Sequence, residues 1–451
     1  MPLVIVVVSG LGLYYLTGSH AAAPFASLNA NQGTLGCGAS ASADSTASDG
    51  NKVTFSTCNS GGGGGATCNS TLSPTSGANV TISSATGGPV ICVAAGTYGS
   101  LSITGSGTSS SRLTIEPNPS LDPNGAGKVT FDGITVAANY VTAQNFYSTN
   151  AINVGSSSPF PGFHDDVINH NAVGPTSGYG ISILSATSTP SYNITISGNI
   201  IHNTSATSEG DALRFDGWHD VTVTGNNMYN IDECAGNGCH TDTLQSEQLG
   251  VATSNLTITK NYIHDNSGAQ GFPFLSDGDI ANVTMSDNLS LRMASNGEAT
   301  GMYILDNTNS LTINNNTYQG TSGSVVQSSG SASNPTINVG HNVFDTFRVL
   351  SGGINYVFSA PEDYDIFTDP SMNDGSGNSI GTTNLGSHSS FNTNPGYKCG
   401  SSCGSTIPPT SSSYTELTGP TTDDYELASN PNGIGIDWNP ANQVYGPTMN
   451  P

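Results

Sequence analysis

Charged side chains make up only 9% of this 451-residue chain, yet several of them gather around one segment. EGDALRFDGWHD (209–220) carries Asp211, Arg214, Asp216, Trp218 and His219, and HTDTLQSEQ (240–248) carries His240, Asp242, Gln245 and Glu247. A D-x-L frame occurs in both, as Asp211-Ala212-Leu213 and Asp242-Thr243-Leu244. If Leu213 and Leu244 stack in a core, Arg214 and Gln245 point outward together, and Asp211 stacks on Asp242 about 5 Å away. A row of carboxylates at that spacing offers the oxygen ligands that calcium takes. Asp211, Asp216 and Asp242 are the candidate ligands, with Asp277, Asp279 and Asp306 in the layers that follow. Two carboxylates about 5 Å apart also suit a retaining glycoside hydrolase, and alternate layers about 9–10 Å apart an inverting one. Trp218 can stack on a sugar ring or anchor a turn, and Gln245 and Glu247 are candidate substrate contacts. Arg214, one of four arginines, also reads as a simple ion-pair partner of Asp211 or Asp216.

The elements that would hold these groups are announced by a recurring asparagine. The frame N-(I/V/L)-T-(I/V/M)-x-x-Asn appears as NITISGN (193–199), DVTVTGN (220–226), NLTITKN (255–261), NVTMSDN (282–288), SLTINNN (310–316) and TINVGHN (336–342). NYVTAQN (139–145) and DDVINHN (165–171) are weaker copies. The closing asparagines, Asn145, Asn171, Asn199, Asn226, Asn261, Asn288, Asn316 and Asn342, are separated by 26, 28, 27, 35, 27, 28 and 26 residues. A period in the twenties with one short strand per unit is the mark of a solenoid. Within each copy apolar residues alternate with Thr, Ser or Asn, which is a strand with one buried face. Asparagine tolerates the left-handed backbone of a sharp turn. Stacked about 4.8 Å apart, the amides can bond into a ladder. The 35-residue gap holds an insertion of about eight residues, including IDECAGNGCHTD (231–242), which Cys234 and Cys239 can staple. Insertions in solenoids map to loops on one face, often the binding face.

This frame, the segment VICVAAGTYGSLSIT (90–104) and the closing DYELASNPNGIGIDWNPANQVYGP (424–447) resemble the right-handed parallel β-helices of the pectate-lyase-like superfamily. The resemblance covers residues 75–350 well and implies an all-β, single-stranded right-handed parallel β-helix. It also implies a calcium-dependent polysaccharide lyase acting by β-elimination. In that chemistry a cation neutralises a uronate carboxylate and acidifies the adjacent C–H, so that a weak base suffices. Arg214, His240 and Asp242 would be the catalytic groups. The R-I-K segment of polygalacturonases and the W-I-D-H segment of the best-known pectate lyases are missing. Gly96-Thr97-Tyr98-Gly99-Ser100 lacks the glutamate of the pectin methylesterase start. This fold hosts lyases, hydrolases, esterases and non-enzymes, so fold and activity are separate questions.

The remaining composition narrows the partners. Thirty-two acidic against eight basic residues give a net charge of −24, which argues against nucleic acid and against polyanions unless a cation bridges them. Residues 1–21 read as a signal peptide, although the basic n-region is missing, or as a retained apolar anchor. Only the anchor would bring a membrane into play. Eight cysteines, an even number, imply an oxidising compartment and a secreted protein. Cys234/Cys239 and Cys399/Cys403 can pair locally, while Cys37, Cys58, Cys68 and Cys92 allow three connectivities. Residues 22–75 form a Ser/Gly-rich leader or cap, 76–350 the β-helix and 351–451 a capping segment that folds back along or over the C-terminal end. The sequons at Asn69, Asn79, Asn193, Asn203, Asn255, Asn282 and Asn288 mostly belong to the frame and read as strand chemistry.

Three functions compete on these grounds. One is a secreted enzyme acting on extracellular polysaccharide. Another is a non-catalytic structural, adhesive or filament-forming β-helix. The third uses the outward pairs Thr195/Ser197, Thr222/Thr224, Thr257/Thr259 and Thr284/Ser286 as an ice-binding array.

Overall fold

The computed structural model describes residues 39–43, 51–55, 68–84, 89–118, 128–155, 161–185, 188–204, 210–231, 241–247, 253–266, 271–276, 279–293, 302–304, 307–308, 310–319, 324–328, 336–344, 347–351, 364–367, 388–391, 395, 397–398, 426–429 and 434–447. The chain divides into two units, Met1–Thr67 and Cys68–Pro451. In the first, Ala39–Ala43 pairs antiparallel with Asn51–Phe55. The second is a parallel β-helix. Each coil contributes one strand to each of three parallel sheets, of 12, 12 and 11 strands.

Sheet 1 is built from the frame strands, among them Val167–Asn169, Ser191–Ser197, Trp218–Thr224, Thr253–Thr259, Asp279–Ser286, Ser310–Asn314 and Thr336–Gly340. The chain then turns into sheet 2, with Ile200–Thr204, Asn227–Ile231, Tyr262–Asn266 and Leu289–Met293, and next into sheet 3, with Ile181–Leu184, Leu213–Asp216 and Leu244–Glu247. Register follows the alternation: Ile194 pairs with Val221 and Ile196 with Val223, and the same columns continue through Leu256 and Ile258. All six are buried in one cluster that runs the length of the helix. Each contributes about 1.5–3 kcal/mol by leaving water.

The ladder asparagines satisfy the turn between sheets 1 and 2. Asn199 Oδ1 accepts from the backbone N–H of Asn171 (2.9 Å) and from its Nδ2 (3.2 Å), and the pattern repeats at Asn226, Asn261, Asn288, Asn316 and Asn342. Two sequence expectations are corrected here. The left-handed residue is not the ladder asparagine but the one before it: His170, Gly198, Gly225, Lys260, Asp287, Asn315 and His341 have φ between 51° and 63°. An asparagine with ordinary φ instead aims its amide along the stack. Asn145, with φ 63°, belongs to this left-handed column, and Phe146 holds the ladder position, its N–H bonded to Asn171 Oδ1 at 3.0 Å. At the far end Asp365 takes both Asn342 donors through Oδ1, at 2.6 and 3.0 Å. A carboxylate suits the position because it is asked to accept. Sheet 2 continues beyond residue 350 through Ile366–Phe367 and Ser390–Phe391.

The first residue of five of the frames is also left-handed: Asp165, Asn193, Asp220, Asn255 and Asn282 have φ between 53° and 62°. They bond to one another on the surface, Asn255 Nδ2 to Asp220 Oδ1 at 2.6 Å and Asn282 Nδ2 to Asn255 Oδ1 at 2.9 Å. This corner explains why Asn or Asp opens the frame. The Cys68–Cys92 disulfide joins neighbouring coils at the N-terminal end. Cys37, Cys58, Cys234, Cys239, Cys399 and Cys403, and the apolar segment 1–21, lie outside the described residues. No helix among the described residues is long and apolar enough to cross a membrane.

The C-terminal segment 434–447 runs back along the stack. Gly435 N–H donates to His341 O (2.6 Å), Trp438 Nε1 to Asp287 O (2.6 Å) and Gly446 N–H to Gly198 O (2.7 Å). Its Ile436 and Trp438 pack on outward apolar residues of sheet 2, Tyr262, Leu289 and Val343. Gly446 allows this approach: its φ is 69°, and a Cβ there would lie 2.8 Å from Ile200 Cδ1.

Candidate functional site

The polar residues singled out in the sequence do converge, on the outer side of sheet 3. Leu213 pairs with Leu244, Arg214 with Gln245 and Asp216 with Glu247. Leu213, Phe215 and Leu244 face the core, leaving Arg214, Asp216 and Gln245 on the opposite side. Asp211 and Asp242 stack just before the strands, with Asp242 N–H donating to Asp211 Oδ1 at 2.8 Å. The eight extra residues of this coil do not form one loop. Twelve residues join Ile231 to Leu244 where eight join Thr204 to Leu213, and five join Glu247 to Thr253 where one joins Asp216 to Trp218. The ladder passes through undisturbed, as Asn226 bonds Asn261 at 3.0 Å.

The outward side of this strand is not an open groove floor. Arg214 is 4% exposed and Gln245 6%. The Arg214 guanidinium donates from Nη1 to Asp211 Oδ2 (3.3 Å) and to Gln245 Oε1, and from Nε to Asp216 Oδ1 (3.2 Å). Its centre lies 5.6 Å from the Tyr179 ring centroid. Burying a guanidinium is costly unless it is paired and hydrogen-bonded, and the two carboxylates and the amide supply that. Asp211 Oδ2, Asp216 Oδ1 and Gln245 Oε1 are calcium-type oxygens, but the cation on which they converge is Arg214 itself. This donor set does not fit a separate calcium ion. No group of three or more His, Cys, Asp or Glu among the described residues is arranged to hold a metal.

Of the two roles the sequence leaves open for Trp218, stacking on a sugar ring or anchoring a turn, its placement favours the anchor. It is fully buried, with Nε1 donating to Ser246 Oγ at 2.9 Å and its ring edge-on to Phe215 at 6.1 Å. Its indole has no face open to a ligand. His240 lies outside the described residues, as do Asp277 and Asp306. Of Glu247 only the main-chain register with Asp216 is described.

A second polar column, missed in the sequence, lines the corner where sheet 1 begins. His164 stacks on Tyr192 (4.7 Å, 12°) and Tyr192 on His219 (4.9 Å, 1°). His164 Nδ1 bonds Asp165 Oδ2 at 2.7 Å, and His219 Nδ1 bonds Asp220 Oδ2 at 2.6 Å. Hydrogen bonds from Asn255 and His219 hold the Asp220 carboxyl below its ordinary range. The two His-Asp dipeptides at 164–165 and 219–220, in the same place of alternate frames with Tyr192-Asn193 between them, are the available signal. Tyr192 lies stacked between the two imidazoles and each Nδ1 is held by a carboxylate, as in a structural brace.

Comparison with protein-family models, with curated proteins and with solved structures finds no match to this chain. The parallel stack and its buried asparagine ladder therefore rest on the geometry itself.

Proposed function

We propose that this chain is a secreted β-helix that binds extracellular carbohydrate as a structural or adhesive component and does not cleave it. The carrying observation is Arg214, which is buried and hydrogen-bonded to Asp211, Asp216 and Gln245. The residue best placed to be a base in β-elimination is thereby a structural anchor. A partner with hydroxyls and no charge suits the outward face of sheet 1. There Thr195, Thr222, Thr257, Thr284 and Thr312 lie in register beside Ser197, Thr224, Thr259, Ser286 and Asn314. No charged side chain interrupts these two columns, and the acidic surface elsewhere disfavours polyanions. The Cys68–Cys92 disulfide supports an oxidising compartment.

The test is a panel of neutral and uronate polysaccharides, read by gel retardation for binding and by ultraviolet absorbance and reducing ends for cleavage, with calcium and then with chelator. Retention by a neutral polysaccharide without cleavage is the expected result. Absorbance that rises with calcium and disappears in Arg214→Ala would sink this reading in favour of the lyase.

A further inference from the structure

One coil interface differs from those that follow it in two independent ways. The first core position of the frame is Ile194, Val221, Leu256, Val283 and Leu311 in successive coils, each buried. In the coil before them it is Asp166, also fully buried. Asp166 Oδ1 accepts the Val141 N–H of the preceding coil at 2.8 Å, while Oδ2 is buried with no hydrogen-bond partner. The asparagine ladder ends at the same interface. Phe146 stands in the ladder position and brings no side-chain amide, so that only its N–H and Ala143 O bond to Asn171. This pair of coils thus lacks one of the two apolar columns and the amide pair that join the later coils, while Ala143 still pairs with Ile168 in the core.

We propose that the interface between strands Val141–Gln144 and Val167–Asn169 is an alkali-sensitive joint of the solenoid, closed while Asp166 carries its proton and opened when that proton is lost. A buried carboxyl with one unsatisfied oxygen is tolerated as the neutral acid and not as the anion. The charged and titratable groups around it are few. Arg112 donates to Val141 O at 3.2 Å and to Asp165 O. Asp165 is bound to His164, and Tyr140 faces Asp165. Burial outweighs the Val141 N–H and Arg112, pushing the Asp166 carboxyl up to about 8. A carboxyl raised on folding stabilises the closed form fully below its ordinary range, and that stability is lost as pH rises through the raised value. In a stack whose coils bond mainly to their neighbours, one weakened interface opens locally.

Amide hydrogen exchange on the full chain, corrected for intrinsic chemistry, tests this between pH 6 and 9. Protection of the Val141 N–H is expected to fall by up to about tenfold per pH unit, levelling above pH 8, while the Asn226 N–H deeper in the ladder keeps its protection. Asp166→Asn, which retains the acceptor for Val141 and has no proton to lose, is expected to abolish the fall. The inference is overturned if Val141 protection is flat in the wild type, if Asn226 loses protection in parallel, or if the fall survives in Asp166→Asn. Should that variant fail to fold, Asp166→Val, which restores the column's apolar type, gives the same reading, and the wild-type profile alone still decides between local, global and no opening.

Discussion

Replacing Asn226 by alanine removes one rung from the middle of the ladder, and the loss can be worked out bond by bond. Asn226 Oδ1 accepts the Asn199 N–H and Asn199 Nδ2, both at 2.9 Å. Its Nδ2 donates to Ile196 O (3.0 Å), Thr224 O (3.2 Å) and Asn261 Oδ1 (3.0 Å). Alanine deletes all five bonds. Asn199 Nδ2 keeps Ile168 O at 2.9 Å, and Asn261 Oδ1 keeps the N–H of residue 226 at 3.0 Å. The Asn199 N–H loses its side-chain acceptor in a buried turn. A buried donor left without a partner costs about 1–3 kcal/mol, and the remaining lost bonds add about 0.5 kcal/mol each. The expected destabilisation is therefore about 3–5 kcal/mol. Urea unfolding followed by circular dichroism measures the sum, and exchange of the Asn199 amide reports the local break. Thr257→Ala, on the outward face of the same sheet, is the control and should cost under about 1 kcal/mol. If Asn226→Ala costs no more than that control, or leaves the Asn199 amide as protected as before, the ladder is decorative and the reasoning fails.

Other outcomes follow from the same structure. Arg214→Ala leaves Asp211 buried beside Asp242 without its cation and should destabilise by about 3–5 kcal/mol, whereas Arg214→Ala combined with Asp211→Asn should recover part of that loss in the same urea titration. Trp438→Ala should cost about 3 kcal/mol and expose the C-terminal segment to limited proteolysis while the ladder amides stay protected. Because Asp220 is held below the ordinary carboxylate range, its contribution is present above that range and lost as pH falls through the depressed value. Asp220→Asn should therefore lower stability at neutral and alkaline pH and flatten part of the acid side of the stability profile.

Much of the fold was readable because a solenoid writes its contacts into its period. The alternation at 193–199 and 220–226 predicted the register Ile194 to Val221 without reference to any distant segment, and the asparagines predicted the ladder. The weak copy at 139–145 misled by one residue, since a frame with Phe146 in the ladder position matches the spacing almost equally well. For the candidate site, the D-x-L repeat placed Asp211 on Asp242 and Arg214 beside Gln245. It was silent on solvent. Outward-facing on a strand is not the same as exposed, and Arg214, Gln245 and Trp218 are all covered.

What the sequence determined alone is the local and repeating part: parallel coils, a buried amide column and an outward hydroxyl face. These depend on contacts between residues one period apart, where strand spacing leaves no choice. Tertiary structure decided what depends on segments far apart in sequence. It laid residues 434–447 against turns as distant as Gly198, stacked tyrosine on histidine at a corner, and closed three oxygens around Arg214. Burial, not residue type, sets whether a carboxylate binds a ligand or neutralises a neighbour, and burial is a property of the packed chain.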